Sequence, residues 1–270
     1  MKSLIKLATI KLLPSLYYRI SSYRFSRYCR TRFEEFQIRF SEDVYGNNQI
    51  HVLTGPFRGM KYYQKIVWGP ITPKWIGSYE AELHEFITDI IDSQYSVIID
   101  VGAAEGYYAV GLAWKCGSSR VFAFDIDPIA RVRQRELAEL NEIHNLEIRK
   151  YCHHSDFSDL VRGRTLVICD IEGFEALLLD PKEAPELIEA DILVEIHSHH
   201  GLDAKSVENL MRDRFQKTHT IKTRRMVDRE PKEYQSMEPM LQKIGSDRLK
   251  EALNEHRHGS QAWLWMKAEP

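Results

Sequence analysis

The sequence predicts a doubly wound α/β fold, a largely parallel sheet with helices on both faces, preceded by a basic N-terminal extension. Three observations point there. From residue 96 onward, short apolar runs alternate with stretches of helical periodicity. The runs lack polar alternation, as strands buried on both faces do. The acidic residues and glycines of the region fall at the carboxyl ends of these runs, where open α/β sheets bind ligands.

The elements follow in order. Ser78–Ile91 reads as a helix: Ser78 can cap it, Glu80 and Glu82 suit its positive end, and Leu83, Phe86, Ile87, Ile90 and Ile91 form an apolar stripe. Val97–Val101 is a first strand and Gly106–Lys115 a helix. Val121–Phe124 is a second strand and Ile129–Asn141 a helix. Leu146–Tyr151, Leu166–Cys169 and Ile192–Ile196 are the third to fifth strands, with helical stretches at about 174–189 and 204–215. Ala262–Met266 returns as an apolar, aromatic strand. Residues 41–77 read as loops and short strands, with Gly46-Asn47-Asn48 a turn between extended pieces.

Composition narrows the function classes. The chain has 270 residues, 43% apolar and 28% charged, which suits a folded globular protein. Its net charge of -2 argues against a nucleic-acid grip spread over the surface. Cys29, Cys116, Cys152 and Cys169 are too scattered for a zinc knuckle and too few for a disulfide scaffold, so reduced thiols in a cytoplasmic protein are expected. The longest stretch without Asp, Glu, Lys or Arg is Val44–Phe57, only 14 residues and largely polar, too short to span a bilayer. Lys6 and Lys11 interrupt the apolar start, which makes a poor signal peptide. Residues 1–40 carry nine basic and two acidic side chains. Such an arm can lie on an anionic membrane surface or pack on the main domain. The segment Arg212–Arg229 is a second basic stretch that could meet an anionic acceptor.

The strand ends carry the chemistry. The first strand runs into Asp100-Val101-Gly102-Ala103-Ala104-Glu105-Gly106. Gly102 and Gly106 permit a tight turn and close approach of backbone to a ligand. The helix that starts there offers free amides. The spacing is not the Gly-x-Gly-x-x-Gly of pyrophosphate binders, and Glu105 would oppose a diphosphate while tolerating a ligand with a cationic sulfur. The second strand ends at Asp125-Ile126-Asp127-Pro128. Asp125 is placed to accept hydrogen bonds from a ribose diol. Asp127, before a proline, reads as the cap of the next helix. Together these ends favour an adenosine-containing ligand, and the missing glycine favours S-adenosylmethionine over a dinucleotide.

The fourth strand ends Asp170-Ile171-Glu172-Gly173-Phe174-Glu175, and the fifth ends Glu195-Ile196-His197. Two acidic clusters and a histidine exceed what a core needs. A base or a metal site for activating a hydroxyl would account for them. Simpler roles stand beside that one. Glu175 can favour its helix N-terminus, Glu195 can face a basic side chain, and His197 can be a hydrogen-bonded loop histidine. Ser198, His199 and His200 read as surface.

The run LVICDIEGFEALLL, with VIIDVGAAEG and VFAFDIDP ahead of it, resembles the FkbM-type S-adenosylmethionine-dependent methyltransferases. The likeness extends over roughly Leu53 to Met266. It implies a Rossmann-like methyltransferase domain over 41–270, after the extension 1–40, and O-methylation of a hydroxyl on a sugar or surface-glycan precursor. It implies that Asp100, Gly102, Ala103, Glu105 and Gly106 cradle the methionine end of the cofactor. Asp125 and Ile126 would hold the ribose side, and the loop Cys152–Asp156 would lie near adenine. Tyr79 and Glu80 would close over the cofactor, while Asp170 and Glu172 would face the methyl group and the acceptor; His197, at the neighbouring strand end, joins them as a catalytic candidate. Asp125 stands where the resemblance leads one to expect Glu, and Phe174 where it leads one to expect a small residue. Either Asp170 or His197 could take the acceptor's proton, or Asp170, Glu195 and His197 could hold Mg²⁺. The other functions in play are a nicotinamide-dependent oxidoreductase and a noncatalytic adenosine-binding subunit.

Overall fold

The computed structural model describes residues 34–64, 69–199, 201–257 and 262–269. Most of the basic arm and Cys29 lie outside the described residues. A helix over 34–45 (α1) opens the described chain and continues through residue 40, burying Phe40, Val44 and Tyr45. After it come α2 (Thr72–Ile76) and α3 (His84–Asp92). The alternating region then runs β1 (Val97–Val101), α4 (Tyr107–Lys115), β2 (Arg120–Phe124), α5 (Pro128–Leu140) and β3 (Leu146–Arg149). It continues with α6 (His154–Leu160), β4 (Thr165–Cys169), α7 (Glu175–Leu178), β5 (Asp191–Ile196) and α8 (Ala204–Phe215). The last elements are β6 (His219–Arg225), α9 (Pro231–Met237), α10 (Ser246–Leu253) and β7 (Ala262–Ala268).

The seven strands form one sheet in the order β3-β2-β1-β4-β5-β7-β6. The first five pair in parallel, and β7 inserts antiparallel between β5 and β6. This is a doubly wound α/β sheet, as the buried apolar runs lead one to expect. Alternation along the strands sorts two cores. Ile98, Leu166, Ile168, Leu193, Trp263 and Trp265 pack against α1, α3, α4 and α10. Ile99, Val167, Ile192, Val194, Leu264 and Met266 pack on the other face, against α6 and α8. Cys116, Cys152 and Cys169 are free thiols. Among the described residues no helix is long and apolar enough to cross a membrane.

Four expectations change. Ser78–Ile91 is not one helix: a 3₁₀ turn at Ala81–Leu83 precedes α3, and Glu80 takes a left-handed φ of 48°. Ser78 does not cap, because its hydroxyl donates back to the Pro73 carbonyl in the first turn of α2. The stretch 174–189 breaks into the short α7 and a 3₁₀ turn at Pro185–Glu189, since Pro181 and Pro185 cannot sit inside a helix. Gly46-Asn47-Asn48 follows α1 directly and ends a helix rather than joining extended pieces. The basic stretch 212–229 contains an edge strand, β6, whose alternating exposure leaves it without a continuous apolar run.

Candidate active site

Parallel pairing brings the carboxyl ends of β1, β2, β4 and β5 to one edge of the sheet. Period-two alternation then puts Asp100, Asp170, Glu195 and His197 on the same face, continuing the rows of Ile98, Ile168 and Leu193. Gly102 locks two of these ends together. Its φ is 85°, and a Cβ there would lie 1.7 Å from the Asp170 carbonyl oxygen. Only a residue without a side chain permits that crossing. Gly173 plays the same part on the other side, where a Cβ would meet the Ser198 carbonyl at 2.7 Å.

His197 sits at the centre of four carboxylates. Its Nδ1 lies 2.8 Å from Glu175 Oε1. Glu175 is fully buried and also accepts the Ile171 and Gly173 amides at 3.2 and 3.0 Å. Those bonds fix the carboxylate and, through it, the ring. The other ring nitrogen, Nε2, is buried without a hydrogen-bond partner. It faces Glu195 Oε2 at 3.5 Å, Glu172 Oε2 at 3.7 Å and Asp170 Oδ1 at 3.9 Å. Burial alone would lower the imidazole pKa, but the Glu175 bond and the surrounding negative charge outweigh it and raise the value. Burial would raise Glu175, yet its bonds to His197 and Gly173 bring it below the usual range. Burial raises both Asp170 and Glu195. For Asp170 the His197 charge and a bond from Glu195 oppose that rise, while the Glu80 and Glu172 charges add to it. The Asp170 charge drives Glu195 higher still, so Glu195 keeps the proton between them.

The cofactor-side residues surround a cleft lined by Lys74, Tyr79, Asp100, Gly102, Glu105 and Asp170. Ala103 is buried within the first turn, and Gly106 stands at the N-terminus of α4. Burial and the neighbouring Asp170 and Asp125 charges raise Asp100 to about 8. Asp100 Oδ2, Glu105 Oε2 and Asp170 Oδ1 are all buried without hydrogen-bond partners. Asp125 lies at the end of β2 beside half-buried Ile126. Its two oxygens already accept the Ala104 and Asp127 amides at 2.9 and 2.7 Å, so it holds the first turn in shape. Burial raises it to about 7. Asp127 caps α5 through the Ile129 amide at 2.7 Å, the role its place before Pro128 predicts.

Asp156 stands apart from this group. Cys152–Asp156 is not a free loop: α6 begins at His154, and Asp156 accepts the His153 amide at 2.7 Å in a capping box. Its other oxygen lies 3.3 Å from Arg149. A carboxylate three residues into a helix is drawn to exactly such an orphan amide by geometry.

Three cationic residues that no strand-end motif marks complete the site. Arg257 hydrogen-bonds Glu80, meets Glu195 at 3.2 Å and Glu255 at 2.9 Å, and lies 3.4 Å from the Tyr79 hydroxyl. Arg229 bridges Glu82 and Glu255 at 3.1 and 2.6 Å and donates to the Ser78 carbonyl. Glu80 also accepts from Tyr108. Thus Glu80 and Glu82 serve ion pairs rather than a helix dipole, and Glu195 does face a basic side chain. The third cation, Lys74, is buried against Glu105. That pairing neutralises Glu105 and removes the repulsion expected toward a diphosphate. A buried lysine inside a five-residue helix has no sequence signature. Arg257 does follow directly on Glu255 and His256, but nothing in that run shows that it folds back over the sheet.

A cluster of Asp170, Glu175 and His197 brings ligand-type atoms within 4.8 Å of one another. It differs from the expected set, because Glu195 is tied to Arg257 and Glu175 takes its place. The set fits Mg²⁺ poorly: Glu175 already holds one imidazole nitrogen, and Mg²⁺ favours an all-oxygen shell.

The profile of the FtsJ-like methyltransferases matches residues 81–234, more than half of the chain. No curated protein matches the sequence. Several solved structures are similar at low identity. An rRNA methylase from Streptococcus thermophilus shares 15% identity at a TM-score of 0.43, over 70% of this chain and 97% of its own. A precorrin-6y C5,15-methyltransferase from Geobacter metallireducens shares 13% at 0.45, over 69% and 89%. M. jannaschii TYW2, in complex with AdoMet, shares 14% at 0.41, over 75% and 77%.

Proposed function

Since the chain belongs to the FtsJ-like methyltransferases and is an S-adenosylmethionine-dependent enzyme, we propose that it methylates a hydroxyl oxygen, with His197 taking the proton. The observation that carries this reading is the Glu175–His197 pair, which leaves Nε2 without a hydrogen bond 3.9 Å from Asp170, a residue that lines the cleft. The orphaned oxygens of Asp100, Glu105 and Asp170 suit a ligand with cationic groups.

When bound, S-adenosylmethionine supplies an electrophilic methyl group on a sulfonium centre. The chain's own residues do the rest. Asp100, Gly102, Ala103, Glu105 and Gly106 hold the methionine end. Asp125, with Ile126 beside it, shapes the turn that meets the ribose. Tyr79 and Glu80 close the cleft, held in place by Arg257. Asp156 acts on the shape of the β3–α6 connection. Asp170 orients the acceptor hydroxyl, and Nε2 of His197 takes its proton as transfer proceeds. Glu175 keeps Nδ1 protonated and so assigns the basic lone pair to Nε2. Glu172, exposed and 3.7 Å from Nε2, stabilises the imidazolium.

The acceptor we propose is a neutral hydroxyl of a sugar or glycan precursor, as the FkbM-type resemblance implies. The carboxylates of Asp170, Glu172 and Glu175 around the transfer point favour an uncharged acceptor over a phosphate backbone. Mass spectrometry of glycans from cells with and without the protein tests this. A gain of one methylene on a sugar supports it, and methylation found only on RNA overturns it. Exhaustive chelation should leave turnover unchanged, because the proposed base needs no metal. We also propose that the basic arm, residues 1–40, draws the enzyme to an anionic membrane. Equal flotation on anionic liposomes with and without the arm would remove that idea.

A further inference from the structure

Lys74 is the one cation lining the cofactor cleft among the described residues. It lies in α2, which Gly77 closes, and its ion pair with Glu105 ties that helix to the turn after β1. Its side chain is 6% exposed and that of Glu105 is 4%. The ammonium donates to Glu105 Oε1 and sits 4.5 Å from the centroid of the Tyr79 ring. The Tyr62 hydroxyl also reaches Glu105 Oε1, at 3.4 Å.

The hydrogen-bonding capacity of this corner is not used up. An ammonium has three donors, and Glu105 Oε1 is the single acceptor Lys74 meets among the described residues. Glu105 Oε2 and Asp100 Oδ2 are buried with no partner. The first turn of α4, just past Gly106, adds main-chain amides. Buried polar atoms left unmatched are costly, and a buried ion pair is by itself no gain in stability over apolar side chains. A pair with spare donors on one end and spare acceptors on the other complements a zwitterion laid alongside it in the opposite sense. The combined charge then stays near zero, which limits the desolvation cost.

We propose that Lys74 recognises the carboxylate of the cofactor's methionine end, while Glu105 Oε2 and Asp100 Oδ2 receive its ammonium. This rests on the S-adenosylmethionine reading above. Lys74 thereby sets the enzyme's preference for the intact amino-acid cofactor over one that lacks the carboxylate.

The test is calorimetric titration with S-adenosylmethionine and with its decarboxylated form, which keeps the adenosyl, sulfonium and amine groups. The native protein should bind the intact form about tenfold to a hundredfold more tightly, the factor a charge-assisted hydrogen bond supplies. In Lys74→Gln the intact form should lose about that factor and the decarboxylated form should bind unchanged, so the preference disappears. Equal weakening of both ligands would make Lys74 a structural counter-ion and overturn the proposal, as would no change in either. If Lys74→Gln does not fold, the Lys74→Met/Glu105→Gln double variant, neutral on both sides, carries the same comparison. A preference that survives there overturns the proposal. A native protein that binds neither ligand would instead sink the cofactor reading, a distinct result.

Discussion

His197 Nδ1 lies 2.8 Å from Glu175 Oε1, joining the end of β5 to the start of α7 across 22 positions of sequence. The bond makes one ring nitrogen a donor and leaves the other to act as a base. His197→Ala should therefore lower methyl transfer by roughly 10²–10⁴-fold, the usual worth of a positioned base. Cofactor affinity, read by titration, should change little.

The same bond predicts a pH profile. Glu175 raises the His197 pKa, so the neutral, basic imidazole accumulates only above its ordinary value of about 6.5. Activity should rise with pH through an inflection above that value. Glu175→Gln removes the negative partner and should move the inflection down. Rates measured from pH 5 to 9 check this, and an inflection that stays put would exclude His197 as the titrating base.

Asp100 should show a trade between stability and binding. Its folded pKa is raised to about 8, against about 3.9 in an unfolded chain. The folded state thus holds a proton the unfolded state has lost, and stability falls as pH climbs from about 4 to about 8. Asp100→Asn removes that loss. Its melting temperature should exceed that of the native protein at pH 8, by roughly 2–4 °C for each kcal/mol recovered, while cofactor binding weakens. Matching pH–stability curves for the two proteins would contradict the burial argument.

Gly102 and Gly117 form a controlled pair. A Cβ at Gly102 collides with the Asp170 carbonyl, whereas one at Gly117 meets nothing within 4 Å. Gly102→Ala should cost several kcal/mol, in the range expected of overpacking added to positive-φ strain. Gly117→Ala should stay within about 0.5 kcal/mol of the native protein. Denaturant melts compare them directly.

Arg257 is shared by Glu80, Glu195 and Glu255. Arg257→Met should destabilise the fold by about 3–5 kcal/mol, because buried carboxylates lose their counter-ion. Arg257→Lys should recover little, since a point charge cannot reach three carboxylates as a guanidinium fork does. Thermal melts of both variants would show it, and full recovery by lysine would argue against the fork.

The central strands were legible because they are apolar throughout, as Val97–Val101 is, and because glycine and aspartate mark their turns. Ala204–Phe215 was legible by its helical spacing. The strand-end residues Asp100, Asp170, Glu195 and His197 were legible for the same reason: alternation assigns them a face and parallel pairing assigns them an edge. The counter-ions were not. Lys74, Arg229 and Arg257 reach the site from segments with no periodic signal, and their partners are 31, 147 and 177 residues away. Edge strand β6 escaped because three of its seven residues are exposed and Lys222, Arg224 and Arg225 interrupt any apolar run. The split of 174–189 was written in Pro181 and Pro185, which outweigh the helical spacing around them.

The placement of β7 has a consequence for how the chain assembles. Among the described residues, the strand pairing of 219–225 runs only to residues 262–268, which leave the ribosome later. A nascent chain must therefore carry β6 as an unpaired ribbon until its sole neighbour has been synthesised, and must insert that neighbour beside β5 at the same time. Lys222, Arg224 and Arg225 give the waiting ribbon a run of positive charge, which discourages it from templating aggregation with another copy in the interval.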